Sequence, residues 1–208
     1  AVVHKWHHYL PIYERYMSRF RGTKVRMLEI GVAQGGSLEM WRRWLGPEAV
    51  IYGIDIRDKC ARFDGVHGQV RIGSQDDPEF LARAVDEMGG VDLVLIDAPC
   101  SGTGTWRRNP EARWRLTPQR LDRLIAEQRR LLDIGAACVK SSGTLVYVVC
   151  SLLPDEGEAQ IKRFLSLNEG WEPAPFSIAT DPKPVTSAVV TPHRHGCDGF
   201  FVARLTRL

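Results

Sequence analysis

Five short, continuous apolar runs separated by helical patterns constrain this chain more than any other feature. Val25–Ile30, Val50–Ile54, Val70–Ile72, Val91–Ile96 and Thr144–Val149 are rich in Val, Ile and Leu and lack the alternation of a strand with one wet face. Such strands lie in a sheet covered on both faces, and parallel strands need crossover helices between them. The intervening sequence supplies those helices. Residues 37–45 follow Gly35-Gly36 with Ser37 placed as a cap, and residues 78–88 open on Pro78 at a first helical position. The longest helix is predicted from Pro118 to about Lys140, capped by Thr117. Leu121, Leu124, Ile125, Gln128, Leu131 and Leu132 form one stripe on it, and Ser141-Ser142-Gly143 ends it. A further helix is predicted over Asp155–Leu167, and Gly199–Leu208 closes the chain as an antiparallel strand. The five prolines at 173, 175, 182, 184 and 192 make residues 172–196 read mainly as loop. The expected fold is α/β, an open, mostly parallel twisted sheet with helices on both faces.

At 208 residues, with 44% hydrophobic and 25% charged residues, the chain suits one compact domain over 1–208 that buries about 70% of its unfolded surface. No apolar run approaches the ~20 residues of a membrane span, and no basic-then-apolar signal opens the sequence. A cytoplasmic monomer without membrane contact is the expectation. The five cysteines (60, 100, 138, 150 and 197) are odd in number and lack a repeated Cys-x-x-Cys spacing, which argues against a disulfide framework and a structural zinc site. No metal is expected. His4, His7, His8, His193 and His195 read as surface or capping residues, Trp6, Trp41 and Trp44 as core, and Cys60 and Cys138 as structural.

Glu29-Ile30-Gly31-Val32-Ala33-Gln34-Gly35-Gly36 joins the first strand to its helix, where glycines admit a ligand close to the backbone and the helix offers free N–H groups. Asp55 ends the second strand, where a carboxylate can accept from both hydroxyls of a ribose. Ala33 breaks the G-x-G-x-x-G pattern, so S-adenosylmethionine (SAM) fits better than a dinucleotide. Glu29, Gly31, Gly35, Gly36, Asp55, Gln75, Asp76 and Asp97 are the candidate cofactor contacts. A plain structural turn is the alternative.

Two cysteines stand at the ends of strand-like runs, in Asp97-Ala98-Pro99-Cys100-Ser101-Gly102-Thr103-Gly104 and Val149-Cys150-Ser151. One thiol can add to a pyrimidine ring and the second can help release it. Two small buried apolar residues are the bland alternative. Residues 1–96 carry 13 basic and 13 acidic side chains, whereas 97–208 carry 15 and 12. Arg107, Arg108, Arg113, Arg115 and Arg120 cluster with Trp106 and Trp114 against Glu111 alone. Arginine interleaved with tryptophan suits phosphate contact and base stacking, and a solvated face is the competing reading.

These motifs carry two resemblances. His4–Leu10, Leu28–Ser37, Tyr52–Ile56 and Ile72–Asp77 resemble SAM-dependent O-methyltransferases of the macrocin and rhamnosyl type. Asp97–Gly104, Arg107–Pro110, Arg113–Pro118, Cys150–Glu158 and His195–Phe201 resemble ribosomal-RNA cytosine-5 methyltransferases of the Sun/Fmu type. The chain thus reads as a hybrid joined near the end of the fourth strand, with a SAM-binding half over 1–96 and a catalytic half over 97–208, of natural, recombinant or designed origin.

The departures decide what each resemblance implies. Asp97 is followed by Ala98-Pro99-Cys100 where the O-methyltransferases carry metal-binding residues. The Gly31–Gly36 segment replaces the Ala-Pro-Gly-Gly-Lys loop of the RNA family, and Val149 and Cys197 stand where that family carries threonine. The second resemblance implies that Cys150 attacks the 6-carbon of a cytosine, that Cys100 acts in release and that Asp97 binds the polar edge of the base. The RNA would be ribosomal, with Arg107, Arg108, Arg113, Trp114 and Arg115 as the expected contacts and Lys140, near the end of the long helix, as a further phosphate contact or a solvated helix terminus. Two other readings stay open: a metal-independent small-molecule O-methyltransferase, and a hybrid that binds SAM without efficient catalysis.

Overall fold

The structure is a computed structural model that describes residues 18–75, 77–178 and 181–208. His4, Trp6, His7, His8 and Asp76 lie outside the described residues. The chain forms two compact units, and the division falls after Asp92, inside the fourth strand rather than beyond it.

In the first unit β1 (Arg26–Ile30), β2 (Val50–Asp55) and β3 (Gln69–Ile72) form a parallel sheet in the order β1-β2-β3. Helix α1 (Gly36–Leu45) crosses from β1 to β2, burying Leu38, Trp41 and Leu45 against Val25, Val32, Ile51 and Val70. Trp44 packs edge-on to Trp41, and Cys60 is fully buried in the same core. Helix α2 (Pro78–Met88) starts as the sequence predicts. Asp77 caps it by accepting from the N–H groups of Glu79 and Phe80 at 3.0 and 3.1 Å, with Pro78 in the first turn.

In the second unit β4 (Val91–Asp97), β5 (Val139–Val149), β10 (Phe200–Arg207) and β6 (Trp171–Pro173) are neighbours in that order, and β9 (Ser187–Val190) also pairs with β10. β10 is antiparallel to β5, β6 and β9. Parallel pairing thus holds the first unit, and the C-terminal strand β10 is antiparallel to its neighbours in the second, as expected. The expected loop over 172–196 is corrected. β7 (Phe176–Ile178) and β8 (Asp181–Val185) form a two-stranded antiparallel sheet, and α5 (Pro192–His195) follows β9. Pro182 and Pro184 are tolerated because β8 pairs on one side only, where missing donors break no second ladder.

Helix α3 (Pro118–Cys138) is capped by Thr117, whose hydroxyl accepts from Arg120 N at 3.2 Å, and it ends two residues short of Lys140. Helix α4 (Glu158–Leu167) starts later than predicted because Pro154–Gly157 form a turn. Leu132 and Ala136 of α3 and Ile161 and Phe164 of α4 pack on Ile96, Leu145, Tyr147, Val149, Phe201, Ala203 and Leu205. Cys138 is buried at the end of α3, as its structural assignment requires.

Candidate active site

The glycine loop of the first unit is built around Asp55. Its Oδ2 accepts from Val32 N and Ala33 N, each at 3.0 Å, and its Oδ1 accepts from Arg57 N at 3.0 Å. The Arg57 guanidinium adds Nε to Oδ1 at 2.9 Å and Nη2 to Oδ2 at 2.7 Å. The Arg57 hydrogen bonds and then the backbone N–H groups hold the Asp55 carboxyl far below the usual carboxylate range, against the opposing effect of burial. The expected ribose acceptor therefore already anchors the loop, and both its oxygens are filled.

Gly31 and Gly35 take positive φ of 96° and 73°. A Cβ on Gly35 would sit 2.8 Å from the Phe63 ring, so this turn requires glycine. Ser37 does not cap α1: its hydroxyl donates to Glu29 Oε2 at 2.7 Å, tying the end of β1 to the first turn of the helix, and Gly35 occupies the cap position. A cavity of about 310 Å³ opens beside the loop, lined by Ile30, Gly31, Ile54, Asp55, Ile56, Arg57, Gly73, Ser74 and Gln75. Ile30 and Ile56 are 52% and 70% exposed there, an apolar surface suited to one face of a purine ring. Sequence reasoning missed Ile30, Ile56 and Arg57. Ile56 and Arg57 directly follow Asp55, and large apolar or cationic residues just past a strand end were the signal.

The second unit brings the two motif cysteines together. Cys100 follows β4, Cys150 follows β5, and their sulfur atoms lie 3.3 Å apart. The Cys100 hydrogen bond lowers Cys150 to about 7 despite partial burial and the charges of Asp97 and Glu156, while the same bond drives Cys100 well above the usual thiol range. One proton is thus shared unequally, and Cys150 is the sulfur poised as thiolate. Asp97 at the end of β4 is exposed, yet enough protein surrounds its carboxyl to raise it above its ordinary value.

Beneath the thiols lies a polar network that sequence reasoning did not assign. Glu156 is fully buried and accepts at Oε1 from Ser101 N at 2.8 Å and Gln128 Nε2 at 3.0 Å, and at Oε2 from Ser101 Oγ. Gln128 Nε2 also reaches Pro99 O at 2.9 Å, and Gln160 Nε2 donates to Gln128 Oε1 at 3.3 Å. Tyr147 donates its hydroxyl to Glu156 O at 2.8 Å, and Ser151 Oγ lies 3.2 Å from Ser101 Oγ and 3.0 Å from Thr103 Oγ1. Gln128 was legible only as a polar residue inside the apolar stripe of α3. The third motif joins the same place: Gly104 N donates to Cys150 O at 3.0 Å, and Gly199 N donates to Gly104 O at 2.8 Å.

The arginine cluster is distributed over an exposed face of the second unit. Arg108 Nε donates to Asp198 Oδ2 at 2.5 Å, with Arg107 Nη2 3.9 Å from Oδ1. Arg113 stacks on Trp114 with its guanidinium carbon 4.4 Å from the ring centroid, and Trp114 is 76% exposed beside exposed Arg115. Lys140 does not join this face or the thiols. It stands near the start of β5, the end opposite Cys150, and at ~3.3 Å per residue the strand separates them by about 30 Å. His195 sits inside α5, its Nδ1 accepting from Thr191 N at 3.0 Å. Among the described residues, no group of three or more His, Cys, Asp or Glu side chains is gathered as a metal ion requires. Among the same residues, no helix is long and apolar enough to cross a membrane.

The family model for 16S rRNA methyltransferase RsmB/F matches residues 26–206. The chain belongs to the RsmB/F family. The match takes in most of the first half as well as the second, so the macrocin-type reading of residues 1–96, and with it a hybrid origin, is not supported. The chain is 42% identical over 172 residues to ribosomal RNA small subunit methyltransferase B of Thermus thermophilus, covering 78% of this chain and 40% of that protein. It resembles the crystal structure of PH0851 with 29% identity and a TM-score of 0.66, over 91% of this chain and 44% of that one. The structure of NSun6 from Pyrococcus horikoshii, solved with SFG, shares the fold at 23% identity and a TM-score of 0.60, over 89% of this chain and 48% of that one. The RsmB/F chain described here thus spans less than half the length of these relatives. The fold is that of the Rossmann-like α/β methyltransferases.

Proposed function

We propose that the protein is the catalytic unit of a SAM-dependent RNA cytosine-5 methyltransferase acting on ribosomal RNA. The observation that carries this reading is the pair of thiols, 3.3 Å apart at neighbouring strand ends, with the lower pKa on Cys150. Cys150 thiolate adds to the 6-carbon of a cytosine drawn out of its stack, while the Asp97 carboxyl, raised by burial, gives its proton to the ring nitrogen and takes it back at release. The 5-carbon, now electron-rich, accepts the methyl group that SAM supplies. Cys100, having given its own proton to solvent, removes the proton from the 5-carbon. The electron pair re-forms the ring double bond, the Cys150–carbon bond breaks, and the ring nitrogen returns its proton.

The residues at the first-unit cavity fit SAM in two respects and resist it in one. Ile30 and Ile56 offer apolar cover for adenine, and the backbone at Gly31 is open. Asp55 can accept from ribose hydroxyls only if the half-exposed Arg57 guanidinium swings away. Arg107, Arg108, Arg113, Trp114 and Arg115 supply phosphate and base-stacking contacts for RNA.

Cysteine replacement tests the reaction. With cytosine RNA and SAM, Cys150→Ala gives neither methylation nor adduct, whereas Cys100→Ala accumulates a denaturant-resistant RNA adduct carried on Cys150. An adduct that persists on Cys100 in Cys150→Ala reverses the two roles. Absence of an adduct between the wild type and 5-fluorocytosine RNA, with SAM bound, rejects the reaction.

A further inference from the structure

We infer that Glu156 is a positioning residue for Cys100: its buried carboxylate, working with the Gln128 amide, clamps the backbone on both sides of that thiol. The inference rests on the proposed roles of the two cysteines. On one side of Cys100, Pro99 O accepts from Gln128 Nε2 at 2.9 Å. On the other, Ser101 N donates to Glu156 Oε1 at 2.8 Å, and the same oxygen accepts the second Gln128 N–H at 3.0 Å. One oxygen and one amide thus fix the peptide groups before and after the sulfur.

Glu156 itself is held by the Cys150 loop. Its backbone oxygen accepts from Tyr147 of β5, its N–H donates to Leu153 O at 3.1 Å, and Ser151 bridges to Ser101 at 3.2 Å. The clamp therefore sets Cys100 against Cys150 and not merely against its own loop. All the donors to the carboxylate are neutral: a backbone N–H, a hydroxyl and an amide. A buried anion without a cationic partner is costly, so stability alone does not favour it over an amide of the same shape.

The uncompensated charge has a chemical use. Among the described residues, the charged and titratable groups that act most on the Cys100–Cys150 pair are Asp97, Glu156 and the neutral Tyr147. Once Cys150 is bonded to carbon it can no longer accept the Cys100 hydrogen bond, and Glu156 becomes the nearby charge that keeps Cys100 a strong base for the release step. A sulfur displaced by an ångström costs about a hundredfold in rate, so position and basicity act on the same step.

The test uses Glu156→Gln, which keeps the shape and removes the charge, and Gln128→Met, which keeps bulk and removes the bridge to Pro99. With cytosine RNA and SAM, both variants should turn over at least about tenfold more slowly and accumulate adduct on Cys150, as Cys100→Ala does. Adduct formation with 5-fluorocytosine RNA should stay within about twofold of wild type. A role confined to folding would instead depress both steps together. Independently of RNA, in a Cys150→Ala background that removes the dominating hydrogen bond, the pH profile of iodoacetamide labelling at Cys100, read by peptide mass spectrometry, should shift to lower pH when Glu156→Gln is added. An unshifted Cys100 profile, or equal loss of addition and release, overturns the inference. Wild type that forms no RNA adduct while the Cys100 profile shifts rejects the proposed reaction and leaves the clamp standing.

Discussion

Cys100 and Cys150 bring their sulfur atoms to 3.3 Å, and the hydrogen bond between them lowers Cys150 and raises Cys100. Lowered to about 7, the Cys150 thiolate falls from roughly nine-tenths of the population at pH 8 to about one-tenth at pH 6. The reactive form is the deprotonated one, so reactivity is present above the folded value and lost as the pH falls through it. Labelling of Cys150 by iodoacetamide should slow about fivefold between pH 7 and pH 6 and change less than twofold between pH 7 and pH 8. In Cys100→Ala the hydrogen bond is gone, and the labelling midpoint should rise by at least about one unit. A midpoint near that of an ordinary thiol in the wild type would remove the basis for naming Cys150 the nucleophile.

Asp55 and Arg57 make a second relationship with opposite consequences for its two members. Asp55→Ala frees the Val32 and Ala33 N–H groups and should weaken SAM binding by about 1–3 kcal/mol. Arg57→Ala empties the competing donor from both carboxylate oxygens, so SAM should bind as tightly as in the wild type or several-fold more tightly. Because the folded Asp55 value is depressed, its stabilisation is present above the unfolded value of about 4 and lost only as the pH falls well below it. Thermal melts between pH 5 and pH 2 should show a larger loss in the wild type than in Asp55→Asn, where other depressed carboxylates such as Glu87 still titrate. Calorimetry in which Arg57→Ala weakens SAM as much as Asp55→Ala does would assign Arg57 to the ligand instead.

The parts legible from sequence were those set by local pattern. The apolar runs gave β1 to β5 and β10 because buried strands are written as continuous Val, Ile and Leu, and Asp77-Pro78 and Thr117-Pro118 marked helix starts to the residue. The cysteine motifs were legible because their spacing from strand ends is local too. What escaped depends on long-range pairing. Pro182 and Pro184 argued for loop, yet β8 forms as the edge of a two-stranded sheet against β7. Ser37 looked like a cap until Glu29, brought close by the fold, took its hydroxyl. Glu156 was not singled out among its acidic neighbours Asp155 and Glu158, since its role exists only through Ser101 and Gln128, far away in sequence. Lys140 was read at the end of a helix, whereas that helix stops at Cys138 and Lys140 stands in β5, at the end opposite Cys150.

Gly104 joins the cysteine loop to the last motif, and the join leaves no room for a side chain. A Cβ there would lie 2.0 Å from Gly199 O, in backbone that cannot swing aside as a side-chain end would. Gly104→Ala must therefore separate the segments or break the Gly199 N–H bond to Gly104 O, and it should cost about 1–3 kcal/mol in denaturant unfolding. The same change should lower methylation more than SAM affinity, because the displaced loop carries Cys100 while the cofactor loop lies in the other unit. Unchanged stability would show that the strand end yields without cost.

Trp114 and Arg113 give the RNA face its sharpest test, since their stacked pair is exposed and little of the fold depends on it. Trp114→Ala should weaken single-stranded RNA by about 1–3 kcal/mol, the range for loss of one base-stacking platform, with the melting temperature unchanged. Stacking releases no counterion, so the dependence of log K on log salt should keep its slope. Arg115→Ala, by contrast, should lower the magnitude of that slope by about 0.7, the amount for one phosphate contact on a single strand. Fluorescence anisotropy at several salt concentrations separates the two effects. Equal RNA affinity for wild type, Trp114→Ala and Arg115→Ala would show that this face is a solvated surface and that RNA must be held elsewhere.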